Sequence, residues 1–289
     1  MTRWPPPPTV ARPFFKAHGL GNDYLVFDEG TAWRAGPGAV QRVCDRHRGV
    51  GSDGIVVLLA DRSDDVFRAR MFNPDGSEFE RSGNGLRVLA AYLTRMAPGR
   101  DRYTVEVGGA RVDLRVHGRE GPLLDVSVDM GRAETGPDAV ALDAAALDAE
   151  GRMPWPHGAP LRLVPVSVGN PHLVVLDRPL DEATLHEVGS FLVAHPALRH
   201  GTNVQLAAPA GAGVVRALIW ERGVGPTTAS GTSACAVAVA MVREGLAPPS
   251  EIRVEMPGGA LRVGVSTDLD VTLRGPVEDV CVGSLAEGF

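Results

Sequence analysis

The sequence predicts an α+β protein made of two similar halves, on three observations. Short runs of β-type residues recur along most of the chain, separated by Gly, Pro and Asp, which interrupt strands and favour turns. Helical patterning is confined to four segments, residues 39–48, 85–95, 182–193 and 232–243. Two of these follow a short Ser-Gly motif, Ser82-Gly83-Asn84-Gly85 and Ser230-Gly231-Thr232-Ser233. Each then runs nearly apolar (LRVLAAYL and ACAVAVAMV), as a helix buried on most sides does.

Residues 1–12 include the prolines Pro5 to Pro8, which can join neither a helix nor a central strand, so a polyproline-type tail outside the fold is expected there. A first domain over residues 13–130 carries strand runs at 24–28, 55–59, 67–72, 103–107 and 111–116. The stretch 135–160 is rich in Ala, Asp, Pro and Gly and holds no convincing strand, and the connection between halves is expected there or just before it. A second domain over residues 131–276 has strand runs at 161–168, 173–176, 214–220, 252–256 and 261–265, several alternating as half-buried antiparallel strands do. Residues 277–289 are expected to return to the first domain. Both halves thus run from strands through a polar, glycine-rich turn into a core helix, an internal duplication of organisation. Two such domains facing each other across a cleft would aim two helix N-termini, with unpaired N–H groups and positive dipole ends, at one small anionic ligand.

Composition narrows the partners. With 29 Lys+Arg against 35 Asp+Glu, a formal charge of -6 and no long basic run, the chain lacks the footprint of a nucleic-acid or anionic-membrane binder. Its longest apolar run, residues 234–242, is far short of the roughly 20 residues that span a bilayer. Cys44, Cys235 and Cys281 form no CxxC pair and are odd in number, which fits neither a disulfide framework nor a cysteine zinc cage, and points to a reducing, cytoplasmic setting.

Taken singly, each polar motif reads as ordinary structure. Asn73-Pro74-Asp75-Gly76 is a turn and Ser82 an N-cap. Their counterpart, Trp220 to Gly225 before Ser230-Gly231-Thr232, repeats strand, glycine-rich turn and apolar helix, and the match favours a functional reading of both. Glu221 and Arg222 end an apolar strand, where an unpaired charge is costly, so one of them is expected to meet a ligand or partner, the alternative being a surface Glu-Arg pair. His18 and His172 lie in loops beside strands, where a histidine is more often structural than a base. The segment 49–54, GVGSDG, lacks the GKS/T of a phosphate loop, and the chain has no HExxH or GxSxG, which argues against nucleotide binding, zinc-protease and serine-hydrolase chemistry.

Seven blocks, HGLGNDYLVFD, CDRHRGVGSDG, MFNPDGSEFERSGNGLRVLAAYL, VGNPH, TNVQ, ERGVGPTTASGTSACA and VEMPGGALRV, together resemble the diaminopimelate epimerase family, in that family's order and over nearly the whole chain after the tail. The resemblance implies two pseudo-symmetric domains, each a strand-rich, barrel-like sheet around a central helix, with the active site between them. It also implies a cytoplasmic, cofactor-independent isomerase of lysine biosynthesis that converts LL- to meso-diaminopimelate with neither pyridoxal phosphate nor metal. Two cysteines flank the substrate α-carbon in the family, one taking a proton as thiolate and the other donating one to the opposite face. The small amino-acid substrate is the implied partner, and a homodimer is compatible with the reading.

The family's two thiol positions fall on Ser82 and Ser230, and Cys235, a turn into the second helix, occupies neither. Pro226 is a further departure, standing where the family has Glu. The substrate-binding residues implied by the resemblance are otherwise kept: Asn22, Asn73, Gly83, Asn84, Asn170, Asn203, Glu221, Arg222, Gly231 and Thr232. The expected catalytic set is Ser82 and Ser230, helped by His172 and Glu221. Because a serine hydroxyl is far less acidic than a thiol, two alternatives stand beside epimerisation: a different isomerase or dehydratase on the same fold, and a non-catalytic amino-acid-binding homologue.

Overall fold

The computed structural model describes residues 13–30, 34–61, 65–287 and 289; the proline-rich tail expected at 1–12 lies outside them. The chain divides into one unit of residues 1–128 with 276–289 and another of residues 129–275, and it passes between them inside two long strands.

The first unit begins with a hairpin of β1 (Pro13–Gly19) and β2 (Asn22–Asp28), followed by helix α1 (Pro37–Cys44) and β3 (Gly54–Leu58), parallel to β2. Strand β4 (Val66–Phe72) pairs antiparallel with β3, and the two-residue β5 (Glu78–Phe79) folds back on it before helix α2 (Gly83–Met96). After α2 come β6 (Arg102–Val107), parallel to β4, then β7 (Ala110–Glu120) and β8 (Leu123–Arg132) in antiparallel succession.

The second unit repeats this order. The two-residue β9 (Glu134–Thr135) leads through two short 3-10 turns to the hairpin of β10 (Leu163–Ser167) and β11 (Pro171–Val175). Helix α3 (Glu182–Val193) then connects to β12 (Asn203–Gly211), parallel to β11. Strand β13 (Val214–Glu221), short β14 (Gly225–Thr227) and helix α4 (Gly231–Arg243) follow as β4, β5 and α2 do, and then β15 (Glu251–Met256), β16 (Gly259–Val265) and β17 (Asp270–Ser284). Strand β15 is parallel to β13, as β6 is to β4.

In the first unit the pairings close a ring of eight strands, β1-β2-β3-β4-β6-β7-β8-β17, because β17 pairs with both β8 and β1. Closure leaves no free sheet edge in that ring. In the second unit the pairings run β9-β10-β11-β12-β13-β15-β16-β17, and the bond from Ala133 N to Leu269 O (2.9 Å) links the start of the run to its end.

Each ring surrounds the helix that the sequence marks as apolar. Helix α2 packs on β1, β2, β3 and β7 and buries Leu86, Val88, Leu89, Ala90, Ala91 and Leu93. Helix α4 packs on β10, β11, β12, β13, β15 and β16 and buries every residue from Ser233 to Met241. Each fully buried Leu or Val of this kind contributes about 1.5–3 kcal/mol. The other two helices cover the rings from outside. Val40 and Val43 of α1 join Leu25, Phe27, Ile55 and Val57, while Leu185, Val188 and Leu192 of α3 join Leu173, Val175, Val204 and Leu206. The expectation of a barrel-like sheet around a central helix, twice over, is therefore met.

Departures from the sequence reading have local causes. The helix expected over 39–48 ends at Cys44, because the Asp45 carboxylate accepts the backbone N–H groups of His47 and Arg48 (2.8 Å each) and turns the chain. Gly49 is then required, since a Cβ there would lie 2.2 Å from the Arg42 carbonyl oxygen. Strands β1, β8, β12 and β17 are not among the runs picked from the sequence. Strand β17 alternates buried Val271, Leu273 and Val277 with solvent-facing residues, but Gly275-Pro276 breaks the pattern at its middle. No helix among the described residues is long and apolar enough to cross a membrane.

Candidate functional site

In the first unit, Ser82 precedes α2 in extended backbone (φ -127°, ψ 123°), and its Oγ accepts the Gly85 N–H at 3.1 Å. The serine thus satisfies one of the amides that a helix start leaves without a partner, and its oxygen sits at the positive end of the helix dipole. Next to it, Asn84 is 7% exposed; its Nδ2 donates to Asn22 O (2.7 Å) and Asn22 Oδ1 (2.8 Å), and its Oδ1 accepts from Arg87 Nη2 (2.9 Å). Arg87, one helical turn on and 1% exposed, also donates to the Pro276 carbonyl at 3.1 Å. Asn22 in turn donates to Asp53 Oδ2 at 3.0 Å. The chain Asp53–Asn22–Asn84–Arg87 holds both asparagines in one orientation.

A charged cluster anchors that chain. Asp23 pairs with Lys16 (2.8 Å) and Arg46 (2.7 Å), and Arg46 pairs with Asp53 (2.6 Å). Burial alone would raise the Asp23 carboxyl, but the hydrogen bonds from Arg46 and Lys16 outweigh it and hold the group below its ordinary 3.8. The segment GVGSDG, which the sequence excludes as a phosphate loop, contributes Asp53 to this network and the Gly51 carbonyl to Lys16 Nζ (2.7 Å). Asn73 stands apart from it. Its Nδ2 donates to Ser77 Oγ (3.0 Å) and its carbonyl accepts from Gly76 N (2.9 Å), so it closes the turn before β5, and no hydrogen bond among the described residues joins it to Asn22 or Asn84.

In the second unit, Ser230 stands before α4 in the same extended conformation (φ -150°, ψ 128°), but its hydroxyl makes no capping bond. The helix can begin at Gly231 because a Cβ there would lie 2.9 Å from Leu273 Cδ2 and crowd it. Gly231 and Thr232 are half-buried, and their amides have no intrahelical partner. Asn203, at the start of β12, ties three segments together: its Nδ2 donates to Pro171 O (3.1 Å) and its Oδ1 accepts from Arg222 N (3.0 Å). Arg222 also donates through Nη1 to the His200 carbonyl, and Glu221 is half-buried at the end of β13. The turn after them needs glycine, with Gly223 and Gly225 at φ +79° and +97°, and Pro226 pairs with Trp220 in β14.

His172 is fully buried on β11, opposite Asn203 in register. Its Nε2 lies 2.9 Å from Asn170 Oδ1, and its Nδ1 lies 3.0 Å from Gln205 Nε2, which also donates to Ser233 Oγ at 3.1 Å. Burial, outweighing the Gln205 hydrogen bond and joined by the charge of Arg222, pushes the imidazole from 6.5 down to about 3. In this setting it is a neutral link with both ring nitrogens engaged. Between pH 6.5 and about 3 the unfolded chain takes up a proton that the folded chain refuses, so stability falls as pH drops below 6.5. The variant His172→Gln is expected to show a flatter fall in urea midpoint between pH 7 and pH 5 than the wild type; equal slopes would remove His172 from that dependence.

Asp53, Arg87, Gln205 and Ser233 belong to these networks without standing out as site residues in the sequence. Two of them leave a signal: Arg87 interrupts the apolar run of α2 three residues after Asn84, and Gln205 is the polar residue inside Val204-Gln205-Leu206. Of the thiols, Cys44 is buried and pushed up to about 11 by desolvation, Cys235 is buried in α4, and Cys281 is exposed. Neither serine position has a cysteine beside it in sequence. Among the described residues no cluster of three His, Cys, Asp or Glu is placed to hold a metal.

The family model for diaminopimelate epimerase matches residues 14–136 and 164–279. The diaminopimelate epimerase of Desulforudis audaxviator is 40% identical over 277 residues, covering 93% of this chain and 98% of that one. That of Pelotomaculum thermopropionicum is 36% identical over 274 residues, covering 93% and 97%. Among solved structures, a predicted epimerase from Pseudomonas aeruginosa shares the fold with a TM-score of 0.69 at 24% identity, over 96% of this chain and all of that one. With the duplicated helix-in-ring architecture and the polar residues at both helix N-termini, these matches establish that the chain belongs to the diaminopimelate epimerase family.

Proposed function

We propose that this chain is a cofactor-independent amino-acid epimerase acting on LL-diaminopimelate, in a reducing cytoplasmic setting, with Ser82 and Ser230 at the two proton-transfer positions of one reaction. The observation that carries the proposal is that α2 and α4 each start at a serine held in extended backbone, at equivalent points of two units with the same strand order. A helix N-terminus favours negative charge, so an oxygen at either position is better placed to become an alkoxide than a serine in water.

In the reaction one serine, as alkoxide, takes the α-proton, the electron pair of the C–H bond stays on carbon, and the other serine gives its hydroxyl proton to the opposite face. The two serines differ in readiness. Ser82 is engaged by Gly85 N, whereas the Ser230 hydroxyl is free of its helix. Glu221 is assigned as the base that withdraws the Ser230 proton. Asn22, Asn73, Gly83, Asn84, Asn170, Asn203, Arg222, Gly231 and Thr232 are assigned to the substrate's carboxylates and amines. Within that set, His172 orients Asn170 and Asn203 orients Arg222.

The test is α-proton exchange in deuterated water, read by mass spectrometry on LL- and meso-diaminopimelate and a panel of L-amino acids. Deuterium at the α-carbon is the expected result, and no exchange across the panel would sink the proposal. The hydroxyls at both thiol positions favour a second reading, an isomerase or dehydratase acting on a more acidic carbon acid. Turnover of such a substrate by the unaltered chain would favour it, full turnover by a Ser82→Ala, Ser230→Ala variant would remove the serines from its mechanism, and tight amino-acid binding without exchange would mark a binding homologue.

A further inference from the structure

We infer that Gln205 is a positioning residue that fixes the tautomer of His172 and thereby makes Asn170 present an N–H donor to its ligand; the inference rests on the amino-acid reading above.

Gln205 and His172 are both fully buried, and so is the Ser233 hydroxyl that completes their contact. The Gln205 Nε2 reaches His172 Nδ1 and Ser233 Oγ, whereas its Oε1 is buried with no hydrogen-bond partner. Reversing the amide would leave two buried N–H donors orphaned in place of one carbonyl oxygen. Orphaned buried N–H groups are the rarer and costlier of the two, which selects the observed orientation.

The rest follows from valence. A donor at Nδ1 requires a lone pair there, so the single proton of the neutral ring sits on Nε2. That N–H donates to Asn170 Oδ1 at 2.9 Å, which occupies the oxygen end of the Asn170 amide. The Asn170 NH2 group, half-exposed and with no protein partner among the described residues, is the end left for a ligand. It suits a carboxylate oxygen and repels an ammonium group. Gln205, which meets no ligand itself, therefore sets the polarity of a side chain that does.

The test uses the full chain labelled with 15N and long-range 1H–15N correlation of the histidine rings. In the wild type His172 is expected with a protonated Nε2 and a bare Nδ1. In Gln205→Glu the carboxylate can only accept, so the proton is expected to move to Nδ1. Nε2 then becomes an acceptor, Asn170 rotates its NH2 group toward the ring, and a nuclear Overhauser contact between the two is gained. The KM for diaminopimelate is expected to rise roughly tenfold with kcat changed far less, as for loss of one donor to a charged group. Gln205→Met, apolar and similar in volume, is the second variant, expected to give mixed tautomers where Gln205→Glu folds poorly.

A wild-type ring protonated on Nδ1, or a His172 tautomer unchanged in both variants, overturns the inference. So does a reversed tautomer without the new Asn170 contact. If the wild type neither binds nor exchanges diaminopimelate, the proposed function fails, and the ring and Overhauser signals still decide the role of Gln205.

Discussion

Exchanging both Ser82 and Ser230 for cysteine is expected to raise the rate of α-proton exchange on LL-diaminopimelate by about 10³-fold, the range a well-matched general base contributes. A free thiol titrates near 8.5, and a helix N-terminus lowers it further, so a thiolate is available near neutral pH. A serine hydroxyl at the same place depends on a neighbouring base for every proton it gives up. The surroundings of the two positions are those a thiolate needs: extended backbone before Gly83 and before Gly231, and helix-start amides that have no intrahelical acceptor. The single variants separate the two sites. Ser82→Cys weakens the cap on Gly85 N and is expected to lower stability by about 1 kcal/mol, whereas Ser230→Cys removes no capping bond and leaves stability nearly unchanged. If the double variant binds diaminopimelate as the wild type does but exchanges no faster, the reacting groups lie elsewhere in the chain.

Gly19→Ala is expected to cost about 2–4 kcal/mol of stability and most of the substrate binding. A Cβ at this position would lie 2.1 Å from Asn84 Oδ1, 2.9 Å from Arg87 Nη2 and 3.2 Å from the Pro276 carbonyl oxygen. Neither neighbour can retreat cheaply, because Asn84 is held by Asn22 and Arg87 by Pro276. The methyl group therefore breaks the Asn84–Arg87 bond and frees the orientation of Asn22, with buried donors left unpaired. Gly118→Ala is the control: nothing lies within 4 Å of its added Cβ, so a near-wild-type urea midpoint is expected. A Gly19→Ala protein with unchanged midpoint and unchanged affinity for diaminopimelate would show that the Asn22–Asn84–Arg87 chain does not matter to either.

Much of the architecture is written in local pattern. The apolar runs after Ser82 and Ser230 identify two buried helices, because a helix can be hydrophobic on nearly every face only if it is enclosed. The punctuation by Gly, Pro and Asp, and the repeated passage from strand through glycine-rich turn to helix, identify the duplication. The helices themselves begin at Gly83 and Gly231, two residues and one residue before the patterns at 85–95 and 232–243, because glycine and polar residues in a first turn carry no hydrophobic period. Helix α1 stops at Cys44, four residues before the helical pattern over 39–48 does, since the Asp45 turn that stops it is a side-chain bond, not a hydrophobic period.

What the sequence by itself determined, then, is the class of fold, the position of its two core helices and the family, all of which rest on periodicity or on runs of residues near one another in the chain. Tertiary structure alone decided which polar residues act together. Asp53 reaches Asn22 from 31 residues away, Arg87 reaches Pro276 from 189 away, and Gln205 meets His172 across 33. Strand pairing and ring closure bring these groups together. Once buried, each donor must find an acceptor, and that requirement, which no local pattern encodes, orients Asn22, Asn84 and Asn170.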